Sequence, residues 1–194
     1  ADSLLVHCMA AAWEWGAYLG EDNMRHGIRI RVSSFTRHHV NITMCRAKAN
    51  GNYMNSMMAL QEALRDGYDE ALLLDASGYV RGGGGETIFL VRAGILPPPA
   101  LPPAREGVPR RTVIALADEL GIRVIEKRIT RDEVYIADEA FFTGTAAEVT
   151  PIREVDGRTI GSGTRGPITE RLQKLYFDQV HGRRDEHPEW LTLA

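Results

Sequence analysis

Lysine is scarce in this chain. Of its 23 lysines and arginines only Lys48, Lys127 and Lys174 are lysine, so amine chemistry has three positions to come from. Arginine-biased codon usage accounts for the scarcity without any function, yet it still narrows the search. Lys48 sits in Arg46-Ala-Lys48-Ala-Asn-Gly51-Asn-Tyr53, between small residues and directly before a helix start. An amine that attacks a carbonyl carbon must approach it closely, and Ala47, Ala49 and Gly51 leave room for a planar ligand beside it. A solvated lysine is the other reading of the same local pattern. Lys127 falls on a charged strand and Lys174 on the polar face of a helix, so both read as surface lysines.

Three further clusters could do chemistry. Gly82-Gly83-Gly84-Gly85 could gather backbone N–H groups around an anion. A P-loop needs Lys and Ser or Thr at its end, whereas Glu86-Thr87 follow here, and 87–91 reads as a strand rather than the helix of a dinucleotide site. The run is better read as a flexible turn lining another ligand. His38, His39, Cys45 and His26 could be imagined around a metal, but adjacent histidines on an extended segment point to opposite faces. No i, i+4 pair accompanies them, and solvated or hydrogen-bonded histidines are expected. Thr143-Gly-Thr145-Ala-Ala-Glu148 offers two hydroxyls and successive N–H groups to a phosphate or carboxylate, or is a plain connection.

The elements that must position these residues follow from alternation and turn chemistry. The 194 residues, 44% hydrophobic and 25% charged, suit one soluble globular domain or a domain plus a fragment of a neighbour, and a chain of this size buries roughly 70% of its unfolded surface. A net charge of -3 offers no field for nucleic acid, and no apolar run spans a bilayer. Two distant cysteines, Cys8 and Cys45, fit a reduced, cytoplasmic setting. Strands are expected at 28–34, 71–74, 88–91, 123–128 and 139–143, and helices at 53–66, 110–120, 131–136 and, on Ile168, Leu172, Leu175 and Tyr176, near the C-terminus. The 53–66 helix is read as burying Met54, Met57, Leu60 and Leu64, with Gly67 stopping it. Asp156-Gly157 marks a hairpin, Thr130 a helix N-cap, and the five prolines of 97–103 an extended connector. The fold class is α+β, on a mixed or mainly antiparallel sheet with flanking helices.

Taken in order, Trp15-Gly-Ala-Tyr-Leu-Gly20, Ser33-Ser-Phe-Thr-Arg37, Ala47-Lys48-Ala-Asn-Gly-Asn-Tyr53, Gly67-Tyr-Asp-Glu-Ala-Leu-Leu-Leu-Asp75 and Phe142-Thr-Gly-Thr-Ala-Ala-Glu-Val-Thr-Pro151 resemble branched-chain amino acid aminotransferase. That family belongs to the fold-type IV, D-amino acid aminotransferase-like class of pyridoxal phosphate enzymes. The resemblance implies a large C-terminal cofactor domain at 28–194, an interdomain loop at 16–27, and at 1–15 the end of a small N-terminal domain. It implies transfer of the amino group of leucine, isoleucine or valine to 2-oxoglutarate, in branched-chain amino acid biosynthesis, by a cytoplasmic homodimer or higher oligomer. The rival expectation is an impaired domain, or lyase relative, that keeps the scaffold for binding or assembly.

Residue by residue, the resemblance implies that Lys48 holds the cofactor covalently and moves the proton, and that Tyr53 bonds the cofactor's phenolic oxygen. Gly85, Glu86 and Thr87 fall in the cofactor loop, Gly107 and Val108 in the turn that holds the phosphate, and Thr145 adds a hydroxyl there. Gly144, Thr145 and Ala146 line the side that receives the substrate carboxylate. Gly82 stands where the family carries the glutamate that pairs with the pyridine nitrogen, and Pro109 where its phosphate turn has threonine. A Gly82→Glu replacement is therefore expected to speed the reaction.

Overall fold

Apolar residues that alternate with arginines bury one face of a strand. In β1 (Ile28–Val32), Ile28, Ile30 and Val32 are buried while Arg29 and Arg31 stay half-buried. The strand stops short of residue 34 because the hydroxyls of Ser33 and Ser34 turn aside to donate to the Glu62 carboxylate. The structure, a computed structural model, describes residues 4–14, 16, 18–45, 47–100 and 107–192. Trp15 and Arg46 of the motifs, Ala17, and 101–106 of the proline-rich connector lie outside the described residues.

β2 (Glu70–Leu74), β3 (Val80–Gly82), β4 (Thr87–Val91), β5 (Glu139–Gly144), β6 (Glu148–Val155) and β7 (Arg158–Thr159) complete a 7-stranded sheet. Its order is β3-β2-β1-β6-β5-β4, with β7 on β6. β1 runs parallel to β2 and β6, and the other pairings are antiparallel, so the sheet is mixed and mainly antiparallel as expected. Strand alternation divides the core between its faces. Along β4, Ile88 and Leu90 join Ile28, Leu72 and Phe142 on one side, while Phe89 and Val91 face Leu116 and Leu172 on the other. Phe89 stacks on Phe141 at 5.2 Å beneath α3 (Val108–Glu119) and α5 (Pro167–Val180).

The helix over 54–65 forms, but turned so that a neighbouring face points inward. In α2 (Met54–Arg65) the buried residues are Ser56, Ala59 and Ala63, whereas Met54 and Met57 are 66% and 64% exposed. Small side chains at helical spacing let α2 settle closely onto Ala71 and Leu73 of β2, leaving the methionines outside. Helix α4 (Arg131–Tyr135) begins at Thr130 as expected, with Glu133 reaching back to the Thr130 N–H at 3.0 Å. Asp156 and Gly157, both at positive φ, make the two-residue turn between β6 and β7.

The expected strand over 123–128 is reduced to single bridges from Val124 to Leu96 and from Lys127 to Pro99. Its neighbour is the run Pro97-Pro-Pro99, whose missing N–H groups cannot extend a ladder. Residues 4–14 form neither helix nor strand, and within 16–27 lies the short helix α1 (Glu21–His26).

Candidate functional site

Several separate elements meet around a cavity of about 610 Å³. The loop before the 3-10 turn Asn50–Tyr53 brings Lys48, and the turn itself brings Tyr53. The start of β2 brings Glu70, the β3–β4 loop brings Gly84, Gly85 and Glu86, and the β5–β6 turn brings Gly144, Thr145, Ala146 and Ala147. A cavity of this size suits a small planar ligand with polar groups at its rim.

Each contributor is held by identifiable bonds. Asn52, buried at the base of the Lys48 loop, accepts from the Thr43 hydroxyl at 2.6 Å and donates to the Met44 and Ala47 carbonyls at 3.1 and 2.9 Å. The β5–β6 turn is clamped by the Thr143 hydroxyl on the Glu148 carbonyl, 2.7 Å, and the Thr150 hydroxyl on the Ala147 carbonyl, 2.6 Å. In the β3–β4 loop the Ser56 hydroxyl donates to the Gly84 carbonyl at 2.6 Å, and Arg37 donates to both, at 2.6 and 3.2 Å. The Gly83 N–H closes the loop on the Glu86 carbonyl at 3.0 Å.

That closure decides what position 82 can carry. Gly82 has φ +123, and a Cβ there would lie 2.4 Å from the Glu86 carbonyl oxygen. A glutamate at 82 would clash with backbone and strain the chain at once, so the expectation that Gly82→Glu improves the site requires this loop to open from its Glu86 closure first.

Of the candidates from sequence, Lys48, Tyr53, Gly85, Glu86, Gly144, Thr145 and Ala146 line this cavity. Thr87 lies on β4 opposite Thr143, and Gly107 and Val108 stand at the start of α3; these three fall outside its lining. Tyr18, Ser56 and Glu70 were missed and belong to it. A lone glutamate before an apolar strand reads as a surface residue, and the neighbours that bury Glu70 are distant in sequence.

Glu70 is 1% exposed, and its carboxyl is pushed from the ordinary 4.5 up to about 8. Burial is the main cause and the charge of Glu86 adds to it, while N–H groups of Ala71 and Gly84 oppose it. Glu86 is also raised, chiefly by burial, with the Gly85 N–H and the Arg37 charge pulling the other way. The Tyr18 phenol is raised by burial and by both glutamates.

A carboxyl whose folded value lies above its unfolded one stabilises the fold fully below 4.5, and that contribution is lost as pH rises through about 8. The ligand-free protein is therefore expected to melt at falling temperature between roughly pH 5 and pH 9, with Glu70→Gln flattening the slope. A wild-type melting temperature that is level over that range would contradict the raised carboxyl. Among the described residues, no group of three or more His, Cys, Asp and Glu could hold a metal ion, and no helix is long and apolar enough to cross a membrane.

Residues 4–155 match the family described as Amino-transferase class IV. The chain belongs to that family. It is 61% identical over 194 residues to the branched-chain-amino-acid aminotransferase of Pseudomonas aeruginosa, covering 100% of this chain and 63% of that protein. The T.th. branched-chain amino acid aminotransferase, solved with pyridoxamine 5'-phosphate, superposes with a TM-score of 0.88 at 50% identity, over 93% of this chain and 59% of its own. The same protein has been solved with N-(5'-phosphopyridoxyl)-L-glutamate and with 4-methylvaleric acid. The Escherichia coli branched-chain amino acid aminotransferase superposes with a TM-score of 0.90 at 43% identity, over 94% of this chain and 60% of its own. The class IV chain described here thus spans less than two thirds of the length of these relatives.

Proposed function

We propose that the full-length protein transfers the amino group of leucine, isoleucine or valine to 2-oxoglutarate, with pyridoxal phosphate held in the cavity beside Lys48. The observation that carries this reading is the convergence on one cavity of a lysine amine, the Tyr53 phenol and the 144–146 turn, elements almost 100 residues apart. The donor set fits the cofactor: an amine for its carbonyl, a phenol beside its ring oxygen, and a floor of glycines at 84, 85 and 144 that admits a flat ring. When bound, the cofactor supplies the electron sink that stabilises a carbanion at the substrate Cα.

The rest is work for the protein's own groups. Lys48 would anchor the cofactor covalently through its amine and would be the group that moves the proton at the substrate Cα. Tyr53 donates to the phenolic oxygen and fixes the ring's orientation. Gly85 and Glu86 form the loop against the ring, and Thr87, the next residue, anchors that loop to β4. The N–H groups at the start of α3, at Gly107 and Val108, would favour the phosphate, and the Thr145 hydroxyl would complete its shell. The N–H groups of Gly144, Thr145 and Ala146 receive the substrate carboxylate.

In this reading 28–194 is the cofactor domain and 16–27 connects it to a smaller one that 1–15 ends. The enzyme works in the cytoplasm as a homodimer or higher oligomer, and the exposed Met54, Met57 and Met58 give a second copy an apolar face to cover. The relatives' names and the 4-methylvaleric acid held by one of them support the branched substrate class. The test is glutamate formation by the full-length protein from 2-oxoglutarate with each amino acid. Turnover of leucine, isoleucine and valine at least about tenfold above D-alanine is expected, a pocket difference of roughly 1.4 kcal/mol. Preference for D-alanine, or no turnover at all, would overturn the reading.

A further inference from the structure

Resting on that reading, we propose that Glu70 is the acidic partner of the cofactor's ring nitrogen, a place that Gly82, which has no side chain, does not fill in this chain. The ring acts as an electron sink best when its nitrogen carries a proton, and an adjacent carboxylate holds that proton there. Two carboxylates line the cavity. Glu86 is turned back onto its own loop, where Oε2 accepts the Gly85 N–H at 2.9 Å and lies 2.5 Å from where a Cβ on Gly83 would stand. It also has the positive charge of Arg37 acting on it.

Glu70 enters from β2, across the sheet edge from that loop. Its Oε1 lies 3.4 Å from where a Cβ on Gly84 would be, so its carboxylate fills space that the glycine loop leaves open. Oε1 accepts the Ala71 N–H at 2.7 Å, and burial together with the neighbouring Glu86 charge disfavours the ionised carboxylate. A carboxylate that burial and a like charge disfavour gains from an opposite charge, and a protonated ring nitrogen brought into the cavity supplies one. The same arrangement explains how a chain with glycine at 82 keeps an acid in the cofactor site: the acid comes from a different strand.

The test uses the full-length protein loaded with pyridoxal phosphate labelled with nitrogen-15 in the ring, read by nitrogen NMR near neutral pH. The wild type is expected to show a protonated ring nitrogen, and Glu70→Gln an unprotonated one. The cofactor dissociation constant is expected to rise about tenfold or more in Glu70→Gln, whereas the 1-deaza analogue, which lacks the nitrogen, binds both proteins within about twofold. An unprotonated nitrogen in the wild type overturns the proposal whatever the variant does. So does a Glu70→Gln signal like the wild type's, or loss of the proton in Glu86→Gln alone. Should Glu70→Gln not fold, Glu70→Asp withdraws the carboxylate by one methylene, and a dissociation constant unchanged for both cofactor and analogue overturns the proposal. A wild type that takes up no pyridoxal phosphate overturns the underlying transaminase reading as well, which separates the two failures.

Discussion

Replacing Lys48 with alanine in the full-length protein is expected to lower leucine turnover by about a thousandfold or more, since a positioned group that transfers the proton contributes roughly 10² to 10⁴ by itself. The loss of covalent anchoring adds to this. Borohydride reduction of the cofactor-loaded wild type should leave the label on the 47–53 peptide. The other two lysines are paired, Lys127 with Glu133 and Lys174 with Asp178 at 2.7 Å, and neither lines the cavity. Lys48→Arg keeps the charge but cannot form the covalent link, so it should be as inactive as alanine. A label on Lys127 or Lys174, or an arginine variant with more than about a tenth of wild-type turnover, would sink the assignment; positioned proton transfer alone predicts a far larger loss.

The largest stability effect is expected at Glu139, far from that chemistry. This buried carboxylate at the start of β5 accepts the N–H groups of Ile168 and Thr169 at 2.9 and 2.7 Å and the Thr169 hydroxyl at 2.7 Å. It thus caps the N-terminus of α5, where two orphan donors and the helix dipole favour a negative charge. Truncation to alanine leaves those donors unpaired in the interior and should cost about 3 kcal/mol or more, roughly 6 to 12 °C in melting temperature for a chain of this size. Gly166 provides an independent check. A Cβ there would stand 2.2 Å from the Glu139 Cδ, while its φ of −80 suits any residue. Gly166→Ala should therefore destabilise by displacing the carboxylate, and the double variant should lose much less than the sum of the two. Urea unfolding that moves by less than about 1 kcal/mol for Glu139→Ala, or strict additivity, would show that the cap contributes little.

Local rules made several elements legible in advance. The Ile-Arg alternation of 28–32, the Thr130 cap with Glu133, and the Asp156-Gly157 turn each depend on residues a few positions apart, where sterics and hydrogen bonding act whatever the rest of the chain does. The motif containing Lys48 and Tyr53 was legible for the same reason, and so were the small residues of 143–147. The strand expected over 123–128 failed because its character depends on a neighbour, and the neighbour is the proline run of 97–99.

The sequence by itself determined which residues have useful chemistry and which short segments hold them: one lysine among small residues, a glycine run, a hydroxyl-bearing turn. The tertiary structure decided which faces look inward. Periodicity in α2 fits the methionine face as well as the alanine face, and the close approach of β2 selects Ala59 and Ala63 for burial. It also decided the state of Glu70. An isolated glutamate has an ordinary carboxyl, and only the packing of β2 under the 82–85 loop and beside Glu86 removes its water and raises it. Gly82 follows the same logic, since its lack of a side chain looks like a missing acid in the sequence and becomes a steric requirement once the Glu86 carbonyl lies across it. Burial and charge coupling act through space between segments that the chain order keeps apart, so no local pattern can encode them.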